Sequence, residues 1–314
     1  MNSNTSVCIK ETPGSFNNNY TSSEEHNLAG CTSIKGLKPG NPLWINQDNF
    51  FINENFDNRD VKIFCVLDGH GEHGHHVSRY CRERFPAIIK SANLEMVQAF
   101  AMMQNELNSC EYDVKCSGAT CVLATIEGAG KLSVYNCGDS RAVLGRRNQN
   151  GVICAHALSL DHKPDRPDER KRVLNCGGHL GCRQVLVNQP GRGPVSMPVG
   201  PCRVWYQHRG ETLGLAMSRS LGDSVVHKSG VSAEPEILEH MIDQSDEFIM
   251  LATDGVWDVV DNNYAVQMVS NFVTNSPTWS PIEAAQCVAK YARSRWEKMS
   301  PMVDDITCIV IKLK

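Results

Sequence analysis

No apolar run in these 314 residues approaches the ~18 needed to cross a bilayer as a helix, so no membrane span is expected. The start, Met1-Asn2-Ser3-Asn4-Thr5, lacks the apolar core of a secretory leader, and Asn at position 2 excludes a myristoylation signal. Charge of one sign is also missing: 31 Lys and Arg against 35 Asp and Glu leave a formal −4, with both signs interspersed. That leaves no basic footprint for nucleic acid or a membrane surface. Cysteine, by contrast, is plentiful at 14 residues, but Cys65, Cys121 and Cys308 lie inside apolar runs, where cysteine is a small hydrophobe. Reduced thiols in the cytosol fit better than a disulfide scaffold, and the expected location is the cytoplasm, the nucleus or both. At 41% apolar composition the chain can bury a large core.

Along the chain, residues 1–28 are rich in Asn, Ser, Thr and Glu and read as a flexible polar arm. Residues 29–314 read as one domain. Two short apolar runs end in the same dipeptide: Val61 to Leu67 runs into Asp68-Gly69-His70, and Glu247 to Thr253 runs into Asp254-Gly255. Both read as buried strands. Helices are expected from Glu72 to about Lys90, ending near a proline, from Leu94 to Leu107, and over 166–175. Asp261 is a fair N-cap for another through Val273, and Ile282 to Trp296 keep helical spacing. Residues 117–126, 131–137 and 141–145 form an antiparallel meander punctuated by Gly128-Ala129-Gly130 and Gly138-Asp139, and Ile306 to Ile311 close the chain as a buried strand. Residues 177–210, rich in glycine and proline and without periodicity, read as an irregular flap or insertion.

Four segments share one design, an apolar strand with an acidic residue at one end: Asn46-Gln47-Asp48, Asp68-Gly69-His70, Thr253-Asp254-Gly255 and Asp304-Asp305. Oxygen donors with few histidines nearby favour Mg²⁺ or Mn²⁺ over zinc. Converging carboxylates without a cation would raise one another's pKa values. Two ions ~3.5–4 Å apart can share a carboxylate and bridge a hydroxide, an arrangement that hydrolyses phosphate esters. His70 stands two residues after the candidate bridging Asp68, placed to protonate a leaving oxygen.

Bland readings stand beside these. A single Asp-Gly at a strand end is usually a turn; four acidic strand ends are the stronger signal. His70, His73, His75 and His76 could be a zinc cluster, but histidines on a loop entering a helix are more often solvated. Cys176, His179, Cys182, Cys202 and His208 match no common zinc spacing. Gly210 to Gly214 is not a phosphate-cradling loop, since no Gly-Lys-Ser/Thr follows. Arg219 fits a phosphate contact or a structural arginine equally well.

In order, Asn46-Gln47-Asp48, Asp68-Gly69-His70-Gly71, Ser117-Gly118-Ala119-Thr120, Asn136 to Arg141, Leu160 to Pro164, Leu215 to Asp223, Ala252 to Asp258 and Asp304 to Thr307 resemble the metal-dependent serine/threonine protein phosphatases of type 2C. The Gln-Asp pair and Arg203-Val204-Trp205 look most like the plant and protist members. The resemblance covers about residues 30 to 314. It implies an α+β fold: a central β-sandwich of two mainly antiparallel sheets flanked by α-helices on both faces, a four-layer αββα arrangement. It implies two Mg²⁺ or Mn²⁺ ions bridged by Asp68. The Gly69 carbonyl would hold the second ion, Asp254 and Asp304 would complete the first, and Gln47 and Asp48 would act through waters. His70 would be the general acid, oriented by Asp139, and Asp139, Asp254 and Asp258 would match a weaker third ion. A metal-bridged hydroxide would attack phosphorus, without a phosphoenzyme. The substrates implied are phosphoserine and phosphothreonine in proteins, and the expected state is a monomer.

Three departures stand out. The family's phosphate-binding arginine before the acidic pair is absent, leaving Lys38 or Lys35 as a point charge without the bidentate fork. Gln47 stands where many relatives carry a carboxylate. Residues from about Gly181 to Cys202 look inserted. A catalytically weak scaffold that binds partners is the alternative; the retained Asp68, Gly69, His70, Asp254 and Asp304 argue against it. Another two-metal phosphoesterase, such as a nuclease, is disfavoured by the lack of a basic groove.

Overall fold

The computed structural model describes residues 21–189 and 192–314. Two large antiparallel sheets face each other. The first orders its strands β1 (Thr21–Glu25), β2 (Ala29–Ile34), β16 (Ile306–Lys312), β15 (Asp246–Ala252), β8 (Arg141–Arg147) and β9 (Ile153–Ala157). The second runs β13 (Leu221–Gly222), β5 (Gly118–Ala119), β4 (Val61–His70), β6 (Cys121–Glu127), β7 (Lys131–Cys137) and β14 (Glu236–Met241), with β3 (Asp48–Asn53) also paired to β4. Helices α1 (Gly74–Ser91) and α2 (Met96–Asn108) cover the second sheet. Helices α5 (Asn262–Asn275) and α6 (Pro281–Met299) cover the first. Two short helices, α3 (Pro167–Asn175) and α4 (Asp254–Trp257), sit in connections.

The central strands are apolar on both faces because each face has its own partner. From β4, Phe64 and Val66 point between the sheets to meet Ile249, Leu251, Ile309 and Ile311, while Ile63, Cys65 and Leu67 pack on Val77, Phe85 and Phe100 of α1 and α2. From β15 and β16, Phe248, Met250, Cys308 and Val310 pack instead on Val266, Val269, Ala285 and Val288 of α5 and α6. The result is the four-layer αββα architecture expected. As the sequence predicts, Asp261 caps α5 by accepting the Tyr264 amide.

Two local expectations are corrected, and one helix runs as expected through a proline. The polar arm does not extend to residue 28, since Thr21–Glu25 pair with Gly30–Ile34 as an edge strand; residues 1–20 lie outside the described residues. Helix α1 spans Gly74–Ser91, close to the expected Glu72 to Lys90, with Pro86 inside it, held by the face of Val77, Cys81, Phe85 and Ile89 packed on β4. The stretch 177–210 is not irregular. It forms most of a third sheet, β10 (His179–Gln189), β11 (Arg192–His208) and β12 (Glu211–Leu215), all antiparallel. Its prolines hid it. Pro194, Pro198 and Pro201 fall in the part of β11 that has only β10 beside it, because β12 pairs from Val204 onward. A proline on an edge costs no ladder bond. The base of this ribbon buries Val204, Leu215 and Met217 against Val173 of α3.

Candidate active site

The acidic residues meet at one end of the sandwich because strand pairing puts them there. In β3 and β4, Asp48 and Asp68 are direct cross-strand partners. Asp254 opens α4 at the end of β15, and Asp304 and Asp305 lead into β16. Gly255 lets these two chain turns touch, since a Cβ there would overlap the Asp305 carbonyl. Thr253 ties the two sheets together at this level. Its hydroxyl donates to Asp48 Oδ2 at 3.0 Å and accepts the Thr307 amide at 3.0 Å.

The adjacent acids Asp304 and Asp305 have different surroundings. Asp305 is buried and accepts the Gly36 amide at 2.6 Å, the Gln47 amide at 2.9 Å and the Trp44 indole at 3.1 Å, which fastens the loop before β3. Asp304 faces the acidic cluster and takes Lys38 Nζ at 2.7 Å. Gln47 turns its side-chain amide to the Gly71 carbonyl at 2.8 Å, and its own carbonyl accepts the Gly69 amide at 3.1 Å. Gly69 is packed so closely on Gly74 that a side chain would collide with the Gly74 carbonyl.

Burial pushes Asp48, Asp68 and Asp254 well above the usual carboxylate range. Neighbouring carboxylates add to this, chiefly Asp305 for Asp48, Asp48 for Asp68, and Asp68 for Asp254. Oδ1 of Asp48 and Oδ1 of Asp139 are buried with no protein partner. Lys38 and Lys163 supply the nearby positive charge. Burial pulls each lysine down, but Asp304 for Lys38 and Asp139 for Lys163 more than offset it, so both are held above the usual lysine range. Among the described residues no three His, Cys, Asp or Glu side chains converge on one metal-sized point. The donor set nonetheless suits a hard divalent cation: all oxygen, buried, mutually repelling, with two oxygens left unpartnered.

His70 lies beside this cluster, and its partner differs from expectation. Nε2 of His70 meets Asp223 Oδ2 at 2.6 Å; Asp139 instead accepts Lys163 Nζ at 2.6 Å. Asp223 is fully buried, also accepts the Ser220 hydroxyl at 2.6 Å, and has a positive φ of 48°. Nδ1 of His70 is buried without a partner. Asp258 follows one turn after Asp254 and is exposed at the rim. Arg219 resolves as structural: it donates to the buried Glu169 at 2.9 and 3.1 Å, alongside Arg172. The histidines of the α1 entry are not a metal cluster in this arrangement, and His76 stacks on Tyr112 with ring centres 4.5 Å apart.

Sequence reasoning missed Asp223 and Lys163 as partners. Both lie in segments that stood out, Leu215 to Asp223 and Leu160 to Pro164, but the partnership with His70 spans 153 positions. Thr253 gave no signal beyond its place before Asp254.

The sequence model described as Protein phosphatase 2C matches residues 45–298. "Probable protein phosphatase 2C 72" of Arabidopsis thaliana is 34% identical over 313 residues, covering 92% of this chain and 86% of that one. "Probable protein phosphatase 2C 73" of the same plant is 32% identical over 321 residues, covering 92% and 79%. In fold, the chain resembles the serine-threonine phosphatase 2C from Toxoplasma gondii with a TM-score of 0.73 at 20% identity, over 94% of this chain and all of that one.

Proposed function

This chain belongs to the protein phosphatase 2C family, and we propose that it removes phosphate from phosphoserine and phosphothreonine of proteins at a binuclear magnesium or manganese centre, with His70 as general acid. As a member of that family it is a metal-dependent protein serine/threonine phosphatase. The observation that carries the fuller reading is the buried carboxylate cluster, with its unpartnered oxygens, beside an imidazole whose Nδ1 is also unpartnered.

Asp68 would bridge the two ions, the Gly69 carbonyl would hold one, and Asp254 and Asp304 the other. Asp48 and Gln47 would act through water, and Asp139, Asp254 and Asp258 would form a weaker third position. When bound, the ions neutralise phosphoryl charge and make water acidic enough to attack phosphorus near neutral pH. The remaining chemistry belongs to side chains. Burial pulls the His70 imidazole down, but the Asp223 carboxylate raises it above the ordinary histidine value. With one N–H given to Asp223 from Nε2, the proton on Nδ1 is the one free to pass to the departing alkoxide. Lys38, which pairs with Asp304, would meet a phosphate oxygen as a point charge.

His70→Ala tests the acid role. It should slow a phosphothreonine peptide, a poor leaving group, by about a hundredfold or more while barely affecting an activated aryl phosphate. Equal loss on both would remove His70 from that role.

A further inference from the structure

We propose that Cys182 and Cys202 are a reversible disulfide pair, closed by hydrogen peroxide, that staples the base of the β10–β11 ribbon.

Strand register opposes two pairs of cysteines among the described residues, Cys182 with Cys202 and Cys121 with Cys137. Direct opposition in an antiparallel ladder sets Cα atoms about 4.5–5.5 Å apart, inside the ~4.4–6.8 Å that a disulfide spans. Accessibility separates the two pairs. Cys121 and Cys137 are 0% exposed inside the core behind β4, where no solute reaches them, whereas Cys182 and Cys202 are both partly exposed and both free thiols.

The position of the accessible pair gives the bond a mechanical consequence. On the inner side, Leu180 opposite Val204 packs into the cluster on Val173 of α3. On the outer side the register slips immediately: Cys182 faces Cys202, but Arg183 faces Val199, leaving Gly200 and Pro201 as a bulge with Gly200 at φ 76°. Beyond that bulge Arg183 to Asn188 and Gly193 to Val199 are exposed. The cysteines thus occupy the last rung between an anchored base and a projecting arm, beside the bulge nearest that base.

The chemistry balances with peroxide alone. The Cys182 thiolate attacks one peroxide oxygen, the O–O bond breaks, and a sulfenic acid and hydroxide form, the hydroxide becoming water with the proton the thiol gave up on ionising. Cys202 then attacks that sulfur; the S–S bond forms, the S–O bond breaks, and the oxygen leaves with the thiol proton as a second water. Burial and the Asp165 carboxylate push the Cys202 thiol up, which suits it to the resolving step. A reducing thiol reopens the bond by exchange.

The test uses the full chain treated with hydrogen peroxide, alkylated, cut by trypsin at Arg183 and Arg192 between the two cysteines, and read by non-reducing mass spectrometry. The expected product is a cross-linked peptide whose fragmentation assigns the bond to Cys182 and Cys202. It should be lost on adding dithiothreitol and absent from both Cys182→Ser and Cys202→Ser. The exposed Cys176 and Cys287 calibrate the dose. If these two are oxidised while Cys182 and Cys202 remain alkylated, or if either becomes sulfinic acid without a cross-link, the proposal fails. A bond from Cys176 to Cys202 would overturn it equally.

Discussion

His70 Nε2 and Asp223 Oδ2 lie 2.6 Å apart, and the aspartate is buried with a left-handed backbone. Asparagine tolerates that backbone, so Asp223→Asn removes the charge without straining the turn. Asp223 holds the imidazole above its ordinary value. Without that charge His70 deprotonates at lower pH, and under the proposed acid role activity should be lost earlier as pH rises. The expected result is an alkaline limb moved to lower pH and a loss of about tenfold to a hundredfold at pH 8 on a phosphothreonine peptide, with an activated aryl phosphate nearly unaffected. A pH profile on both substrates checks it; an unmoved limb would break the link between the two residues.

Gly118 is pressed against the same carboxylate, since a Cβ there would overlap Asp223 Oδ2 and approach the Leu221 carbonyl at 2.6 Å. Gly118→Ala should therefore reproduce the substrate discrimination of Asp223→Asn from a residue with no chemistry of its own. Its stability cost should be about 1–3 kcal/mol, as for other overpacking changes. Thermal melts and the ratio of the two phosphatase rates measure both effects. Wild-type behaviour in that ratio would mean Asp223 tolerates displacement.

Lys163 is the cation on Asp139, which is 1% exposed. Lys163→Met leaves that carboxylate buried among other acids, and the metal-free protein should lose about 2 kcal/mol. Manganese should restore more of the melting temperature in this variant than in the wild type, because the ions then take over the compensating charge that Lys163 supplied to Asp139. Melts with chelator and with Mn²⁺ decide it. An identical metal response would separate Asp139 from the metal centre.

His162 gives a prediction about pH and stability. It is 0% exposed, with Nδ1 at the Gly138 amide and Nε2 at Glu236, 3.1 and 3.0 Å away. Burial, with Arg219 beside it, lowers its pKa from 6.5 to about 4. The unfolded chain therefore binds a proton first as pH falls, so this residue's contribution is full above 6.5 and drains away toward 4. The loss is up to about 3 kcal/mol. Metal-free carboxylates with raised values act in the opposite direction, so the diagnostic quantity is the difference between wild type and His162→Gln. That difference should shrink steadily from pH 7 to pH 5 in urea unfolding; a constant difference would show that the imidazole titrates alike in the folded and the unfolded chain, and a growing one that the fold holds it charged.

Much of this was legible in the sequence, for identifiable reasons. Strands β4, β15 and β16 announce themselves because both faces are covered, so nearly every position is apolar. The acids at their ends stand out as the polar exceptions. What could not be read is lateral. Nothing local to His70 points to Asp223 rather than Asp139, because both are acids near turns and only the β5–β13 pairing brings one of them into reach. Arg219 stayed undecided between a phosphate contact and a structural role because its partner Glu169 sits in a different charged segment, 50 positions away. The ribbon of β10 and β11 was hidden by prolines that are harmless only because β12 stops short of them. Thr21–Glu25 read as arm because an edge strand needs backbone partners more than apolar side chains.

The central claim is that catalysis depends on divalent metal held by the cluster around Asp68 and Asp254. Phosphate release from a phosphothreonine peptide should be compared in Mn²⁺ and in excess chelator, for the wild type, Asp68→Asn and Asp254→Asn, each checked for folding by circular dichroism. The account predicts turnover in Mn²⁺, none in chelator, and a loss of at least about a thousandfold in either variant. Undiminished turnover in chelator, or a folded Asp68→Asn enzyme with wild-type rate in Mn²⁺, would contradict it.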